Sequence, residues 1–422
     1  VTAAGRSGGA GRTDQQSEGV MRRLIAGLGL GAMLLAPGAA LAQSGAACQG
    51  GKSFDAWLSG IKSDAAAQGI SQAAISSALD GVTFDPAIVN KDRGGQAVFT
   101  QGFVPFANRM ANANRLEAGK AKIRANARTF QRIEKEFGVP AGVLVAFWGL
   151  ETDFGGFLGN GETIRSVATL AYDCKRPDLF RDQLFALLKI VDRGDLTPAQ
   201  MRGPWAGELG QFQFLPTHYI DFGLDYDGDG HVNLIKSEAD ALGSAANYIK
   251  HLGWQASQPW LVEVKLAPGV PLDQADLAIE HSAQEWTGWG LTRTDGQPIS
   301  GPASSLHLPQ GRHGPAFLAY PNFKNVYLTW NHSLIYSTTA GYFATRLEGE
   351  PAMSKGDGTP DLDAAGVKQL QELLSQRGHD VGKIDGVVGA GTRAAIKTEQ
   401  LRLGLPADSY PSSELLDALR RG

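Results

Sequence analysis

Glu151 stands where an apolar run ends. In "LVAFWGLETDFGG" (144–156), Leu144, Val145, Ala146, Phe147, Trp148 and Leu150 leave almost no polar face before the carboxylate. A carboxyl group in dry surroundings is held neutral, and the negative end of a helix dipole pushes the same way. A neutral acid that can surrender its proton is what cleavage of a glycosidic bond requires. The plainer reading is that Glu151 marks the point where a buried helix surfaces.

A second constellation lies in "GPWAGELGQFQFLPTHYIDFGLDYDGDGHVNL" (203–234). Gly207 and Gly210 would let the backbone approach a ligand, while Gln211 and Gln213 offer amide donors and acceptors. Phe212 and Phe214 should anchor the segment. Amides beside aromatics suit a sugar polymer, with its hydroxyl rims and apolar faces; they equally suit an awkward loop that needs its backbone satisfied. Further on, Asp225, Asp227 and Asp229 alternate ahead of Gly230, which is the opening half of an EF-hand loop. Position twelve is Lys236 in place of the bidentate Glu, and an Asp-rich turn without metal is the alternative.

The elements that must position these groups are mostly helical. Apolar spacing predicts helices over 54–80 with a turn near Gly69, one long helix over 106–139, and another opened by Pro140 that carries Glu151 and is broken by Gly155-Gly156. Helices also fit 178–193, 197–202 and 238–251. Segment 259–312 changes character: "WLVEVKL" and "DLAIEHS" have strand-like or short mixed patterns between Pro and Gly turns, so a small β-containing insert is expected. Helical pattern resumes at "NFKNVYLTWN" and "STTAGYFATRL".

The 422-residue chain carries 39 Lys and Arg against 43 Asp and Glu, a net charge of −4, which argues against nucleic acid as a partner. Met21-Arg22-Arg23, the apolar "LIAGLGLGAMLLA" and "ALA" at 40–42 read as a signal peptide over 21–42, with residues 1–20 an upstream, non-native extension. Gly45 precedes Cys48 where a lipoprotein signal wants Leu, so lipid anchoring is not expected. No helix-length apolar stretch follows, so no membrane span is expected in the mature chain. Export to the periplasm favours a disulfide between the two cysteines, Cys48 and Cys174, over two buried thiols.

Taken in order and spacing, "GLETDFGG", "WAGELGQFQFLPTHY", "DYDGDGHVNL" and "ALGSAANYIKHLGW" resemble the lytic murein transglycosylase B family, the family-103 glycoside hydrolases, across roughly residues 50–348. The resemblance implies an α+β lysozyme-like catalytic core, mainly α, over 43–348. It places Glu151 at the position of the family's single acid/base, Gln213 and Tyr248 at substrate-contacting positions, and Asn331 at a cleft position. Trp330 stands where some members have Tyr. The acidic loop of the family is lengthened and closed by a later acid, which aligns with Asp240, Glu238 being the alternative. The implied structural Ca²⁺ would then be held by Asp225, Asp227, Asp229, the carbonyl of His231, and Asp240. One departure is Pro204, where a Ser often contributes a hydroxyl.

The implied reaction needs no cofactor. Other glycosidases use two carboxylates roughly 5 to 9.5 Å apart; here Asp153 should point elsewhere, and Glu208 is a candidate second acid at a position the family fills variably. With one carboxyl, Glu151 would protonate the oxygen leaving MurNAc and then deprotonate the C6 hydroxyl, which closes on C1 to give a 1,6-anhydro sugar.

After a linker at 349–360, residues 361–422 resemble the peptidoglycan-binding domain of cell-wall enzymes, most closely in "IDGVVGAGTRAAI". This would be a small three-helix domain, with Leu370, Leu373 and Leu374 on one face and Ile396, Leu401 and Leu403 on the helix begun at Thr392. Its implied partner is the glycan strand, and the protein is expected to be a monomer. The competing readings are a hydrolytic muramidase on the same scaffold and a non-catalytic wall-binding protein. A zinc amidase is disfavoured, because the eight His are scattered and no H-E-x-x-H occurs.

Overall fold

A computed structural model describes residues 48–94, 102–356 and 362–421. The expected signal peptide at 21–42, the expected extension before it and part of the expected linker lie outside the described residues. The fold is mainly α. Among the described residues no helix is long and apolar enough to cross a membrane. Two compact units emerge, one from positions before 96 with Phe147–Tyr248, the other from 96–146 with Ile249–Gly422.

In the first unit, Phe54–Ala67 and Gln72–Leu79 are capped by Ser53 and Ser71, whose hydroxyls accept the amides of Ala56 and Ala74. Phe54, Trp57 and Phe84 gather around Tyr172, with ring centroids 5.4 to 5.6 Å from it. The Cys48–Cys174 disulfide closes beside this cluster across 126 residues. A loop of that length contributes up to roughly 5 kcal/mol by restricting the unfolded chain. Thr163–Tyr172 packs on Pro177–Asp192, which in turn packs on Pro216–Phe222. A two-residue ribbon, β1 (Gly161–Glu162) against β2 (Arg202–Gly203), holds the start of the second motif beside the turn that follows Glu151.

The helix that carries Glu151, Ala141–Thr152, begins directly after Pro140. Val143 through Trp148 are all fully buried, which explains the missing polar face.

The second unit corrects the expectation of one long helix over 106–139. Three helices stand there, Phe103–Met110, Ala113–Ala125 and Ala127–Phe137. Asn112 accepts the Arg115 amide at 3.0 Å, and the Asn126 side chain donates to the Lys122 carbonyl at 3.3 Å. Such local side-chain bonds compete with the helix ladder while leaving the apolar spacing intact. A four-stranded antiparallel sheet follows, in the order β4-β3-β6-β5, from β3 (Leu261–Lys265), β4 (Thr292–Arg293), β5 (Ser305–His307) and β6 (Ala316–Ala319). It covers Trp286, Leu291, Leu306 and Leu318. The insert thus runs past 312, and "DLAIEHS" is not a strand: only His281 bridges to Ser304 before Ser282 and Glu285 cap Ala283–Gly288 in a reciprocal box.

Ala364–Gln376, Ala390–Arg402 and Ser413–Arg421 form the C-terminal three-helix module around Leu370, Leu374, Ile396 and Leu415. Leu373 and Leu403 pack against that core, but Leu401 is 56% exposed, so it does not continue the buried face. The module rests on the sheet region: Arg393 donates to the Leu308 carbonyl at 3.0 Å, Lys397 meets Asp276 at 3.4 Å, and Arg312 meets Glu414 at 3.3 Å. The start of the linker is held as well, with Met353 buried and the Ser354 amide donating to Glu263 at 2.8 Å.

Candidate active site

Glu151 sits on the last turn of its helix, 6% exposed. The chain then leaves the helix abruptly. Asp153 and Phe154 both take left-handed backbone conformations (φ 53° and 62°), and the Phe154 amide reaches back to the Trp148 carbonyl at 3.2 Å. Each such non-glycine residue costs on the order of 1–2 kcal/mol. The helix therefore stops before Gly155, and Asp153 is exposed while Phe154 is buried. Phe154 meets Trp148 edge-on at 5.9 Å, and Phe212 stacks with Trp148 at 6.3 Å, so aromatic rings enclose the turn below the acid.

The second motif is bound to this turn through Gln211. Its Oε1 accepts from the Trp148 indole at 2.9 Å, its Nε2 donates to the Ile235 carbonyl at 3.2 Å, and its backbone carbonyl accepts from the Thr152 hydroxyl at 2.7 Å. Thr152 in turn accepts the Gly155 amide at 2.9 Å. Gln211 thus ties the second motif to the turn that follows Glu151 through bonds within the protein. Gly207 and Gly210 serve close packing too. Both have positive φ, and an added Cβ would strike Val167 at the first and the Leu234 carbonyl at the second. What they approach is protein. Phe212 and Phe214 are buried anchors, as expected.

Gln213 is different. Its backbone is left-handed (φ 51°), its Nε2 donates to the Gly210 carbonyl at 2.8 Å, and its Oε1 is buried with no partner. Strained residues of this kind collect at functional sites. Tyr248 is half-buried among Phe214, His218 and Phe222, with centroids 5.6, 4.7 and 4.8 Å away. Burial pushes its phenol pKa up. Trp330 and Asn331 belong to the second unit, where a π-helical turn, Phe323–Tyr327, runs into Leu328–Trp330 and ends at Asn331. The Asn331 Oδ1 accepts the Ser333 amide at 2.9 Å.

Sequence reasoning left Glu208 as a candidate second acid, and the fold buries it to 5% exposure and leaves its Oε2 without a partner. Burial pushes its pKa up to about 8; the neighbouring Glu151 charge adds to the rise, and Arg176 opposes it. A carboxyl that stays protonated at neutral pH cannot serve as a second carboxylate. Its signal in the sequence is an acid inside the apolar "WAGELGQF". Pro204 lines a cavity of about 280 Å³ with Asn160 and Arg165.

The acidic loop brings together carboxylate oxygens of Asp225, Asp227 and Asp229, all within 4.8 Å of one another and exposed. Asp225 accepts the amides of Gly228, Asp229 and Gly230, and the Gly230 bond chiefly holds its pKa below the usual carboxylate value. Three converging oxygen donors suit a hard cation such as Ca²⁺. Asp240 is fully buried, and its oxygens accept the amides of Tyr226, Asp227 and Asn233 at 2.7, 3.2 and 2.8 Å. It braces the loop from beneath and lies outside the three-carboxylate cluster.

Residues 53–345 match the transglycosylase SLT domain model, and residues 363–419 match a peptidoglycan binding domain. The chain belongs to the lytic transglycosylase family. Among solved structures it resembles SltB3 from Pseudomonas aeruginosa, in complex with NAG-anhNAM-pentapeptide, at 39% identity and TM-score 0.80 over 88% of this chain and 100% of that one. It is also 32% identical to the membrane-bound lytic murein transglycosylase B of Escherichia coli (strain K12), over 48% of this chain and 55% of that protein. The chain thus spans about half the length of that relative. The Escherichia coli lytic transglycosylase Slt35, solved in complex with calcium, shares the fold at 23% identity and TM-score 0.59, over 69% of this chain and 92% of that one.

Proposed function

We propose that this chain cleaves the β-1,4 bond between MurNAc and GlcNAc in peptidoglycan without water, leaving 1,6-anhydro-MurNAc ends. Glu151 gives its proton to the leaving oxygen as the bond to C1 breaks. The N-acetyl group or the ring oxygen stabilises the cationic centre. The Glu151 carboxylate then takes the C6 hydroxyl proton as O6 bonds to C1, which restores the acid. Atoms balance with no water consumed. The observation that supports this most is the burial of Glu151 at 6% exposure, with a neighbouring acid that stays neutral. Gln213, Tyr248, Trp330 and Asn331 are the proposed sugar contacts, and Gln211 acts by holding Trp148.

The C-terminal module holds the enzyme on the glycan polymer and raises its local concentration there. Export to the periplasm as a monomer completes the reading. A Ca²⁺ on Asp225, Asp227, Asp229 and the His231 carbonyl would clamp the loop, with Asp240 bracing it; it supplies stability and takes no part in the bond-breaking steps.

Digestion of purified peptidoglycan followed by mass spectrometry tests the reaction. Products one water lighter than muramidase products are expected, and hydrated reducing ends would refute it in favour of hydrolysis. Glu151→Gln should lower turnover at least ~100-fold, and substantial residual activity would remove Glu151 from its role.

A further inference from the structure

The cavity beside Pro204, about 280 Å³, is built wholly within the unit that carries Glu151. Ile88, Phe157 and Trp205 give it apolar walls. It adjoins the acid-bearing turn, because the Phe157 amide donates to the carbonyl of Thr152, the residue after Glu151, at 2.9 Å. Gly159 (φ 85°) lies so close to Gly203 that an added Cβ would come within 2.4 Å of its carbonyl carbon, which fixes the backbone ahead of Asn160. Another wall is the helix Pro86–Arg93, where Ile88 is buried and Lys91, three positions on, shares its face.

The charges around this cavity are paired except for one. Arg165 stands 3.7 Å from Asp85, and Arg202 stands 3.6 Å from Glu162. Asp92, next to Lys91 in the chain, is held by Arg176 at 2.5 Å and Lys175 at 3.1 Å. Among the described residues Lys91 has no ion pair, and the side-chain amide of Asn160 has no hydrogen-bond partner.

We propose that this cavity takes the peptide stem of the MurNAc being cut, with Lys91 pairing a stem carboxylate and the Asn160 side chain bonding a stem peptide group. The idea rests on the proposed reading of the chain as an enzyme that cuts beside MurNAc. A glycan whose lactyl acids are amide-linked carries no charge, so the sugars alone offer nothing for a lone ammonium to pair. The carboxylates of the polymer lie in its stems. Apolar walls with one unpaired cation and one unpaired amide complement a short acidic peptide. Asp85 and Glu162 on the same rim repel an acid placed elsewhere, which confines the carboxylate to Lys91. Lys91 thereby sets which substrates bind and takes no part in the bond-breaking steps.

The test measures kcat and KM on one soluble glycan of fixed length, prepared with its stem carboxyls either free or converted to amides. Wild type should show a KM about fivefold lower on the free-acid substrate, the upper end for an exposed ion pair. High salt should erase that preference. Lys91→Gln should erase it as well, by raising KM on the free-acid substrate, and Lys91→Arg should restore it. Lys91 is exposed, so the substitutions leave the core intact. Equal KM values for wild type on the two substrates, or a Lys91→Gln variant that keeps the preference, would overturn the proposal. A Lys91→Gln defect of the same size on both substrates overturns it too, since the cavity would then serve the sugars. Failure of the underlying reading looks different: Glu151→Gln would then stay active, whereas failure of stem recognition alone leaves that variant inactive and Lys91→Gln like wild type.

Discussion

The indole of Trp148 donates a 2.9 Å hydrogen bond to Gln211, joining the helix that carries Glu151 to the loop that carries Glu208 and Gln213. Both partners are buried, so neither has water as a substitute. Gln211→Leu keeps the volume and removes the acceptor, which leaves the Trp148 N–H and the Ile235 carbonyl unsatisfied. The expected loss is about 1–3 kcal/mol of stability in chemical denaturation. A drop in kcat larger than any rise in KM should accompany it. A fully stable, fully active variant would show that the lock is dispensable.

Glu208 should cost stability at neutral pH. Its folded pKa of about 8 lies above the ordinary value of 4.5, so the folded state holds the proton that the unfolded chain releases. The penalty is absent below pH 4.5 and grows as pH rises toward 8. At pH 7 it is on the order of 3 kcal/mol. Glu208→Gln should therefore melt higher than wild type at pH 7, with the gap closing near pH 4.5. Thermal scans across that window check this, and an unchanged or lowered melting temperature at pH 7 would contradict it.

Ca²⁺ should raise the melting temperature of chelator-treated protein, by an amount that grows with the logarithm of its concentration. Asp227→Asn should abolish the shift, since it removes one of three converging carboxylates. Asp240→Asn should lower stability even without the cation, because the Asp240 oxygens accept three backbone amides. Equal behaviour of the two variants would argue against these separate roles.

Arg393→Met should release the C-terminal module from the sheet region by removing the bond to Leu308. Limited proteolysis between 349 and 362 should then speed up several-fold. The module's own core of Leu370, Leu374, Ile396 and Leu415 should remain folded by circular dichroism. An unchanged cleavage rate would mean that Lys397 and Arg312 suffice to hold it.

Much of the protein was legible in its sequence because the information is local. Spacing of apolar residues marks helices, two cysteines allow one pairing, and three aspartates at alternate positions converge by the geometry of a single loop. The same local logic failed at 106–139, where two Asn side chains broke a pattern whose periodicity ran on. Nor could it say that Gln211, Gly207 and Gly210 pack against Trp148, Val167 and Leu234. Which neighbour a side chain meets depends on segments some sixty residues away, and only the packed structure supplies them. Glu151 announced itself through its apolar run. The meaning of Glu208 came from the fold, because the proton affinity of a carboxyl is set by burial and by the charge beside it, neither of which spacing encodes.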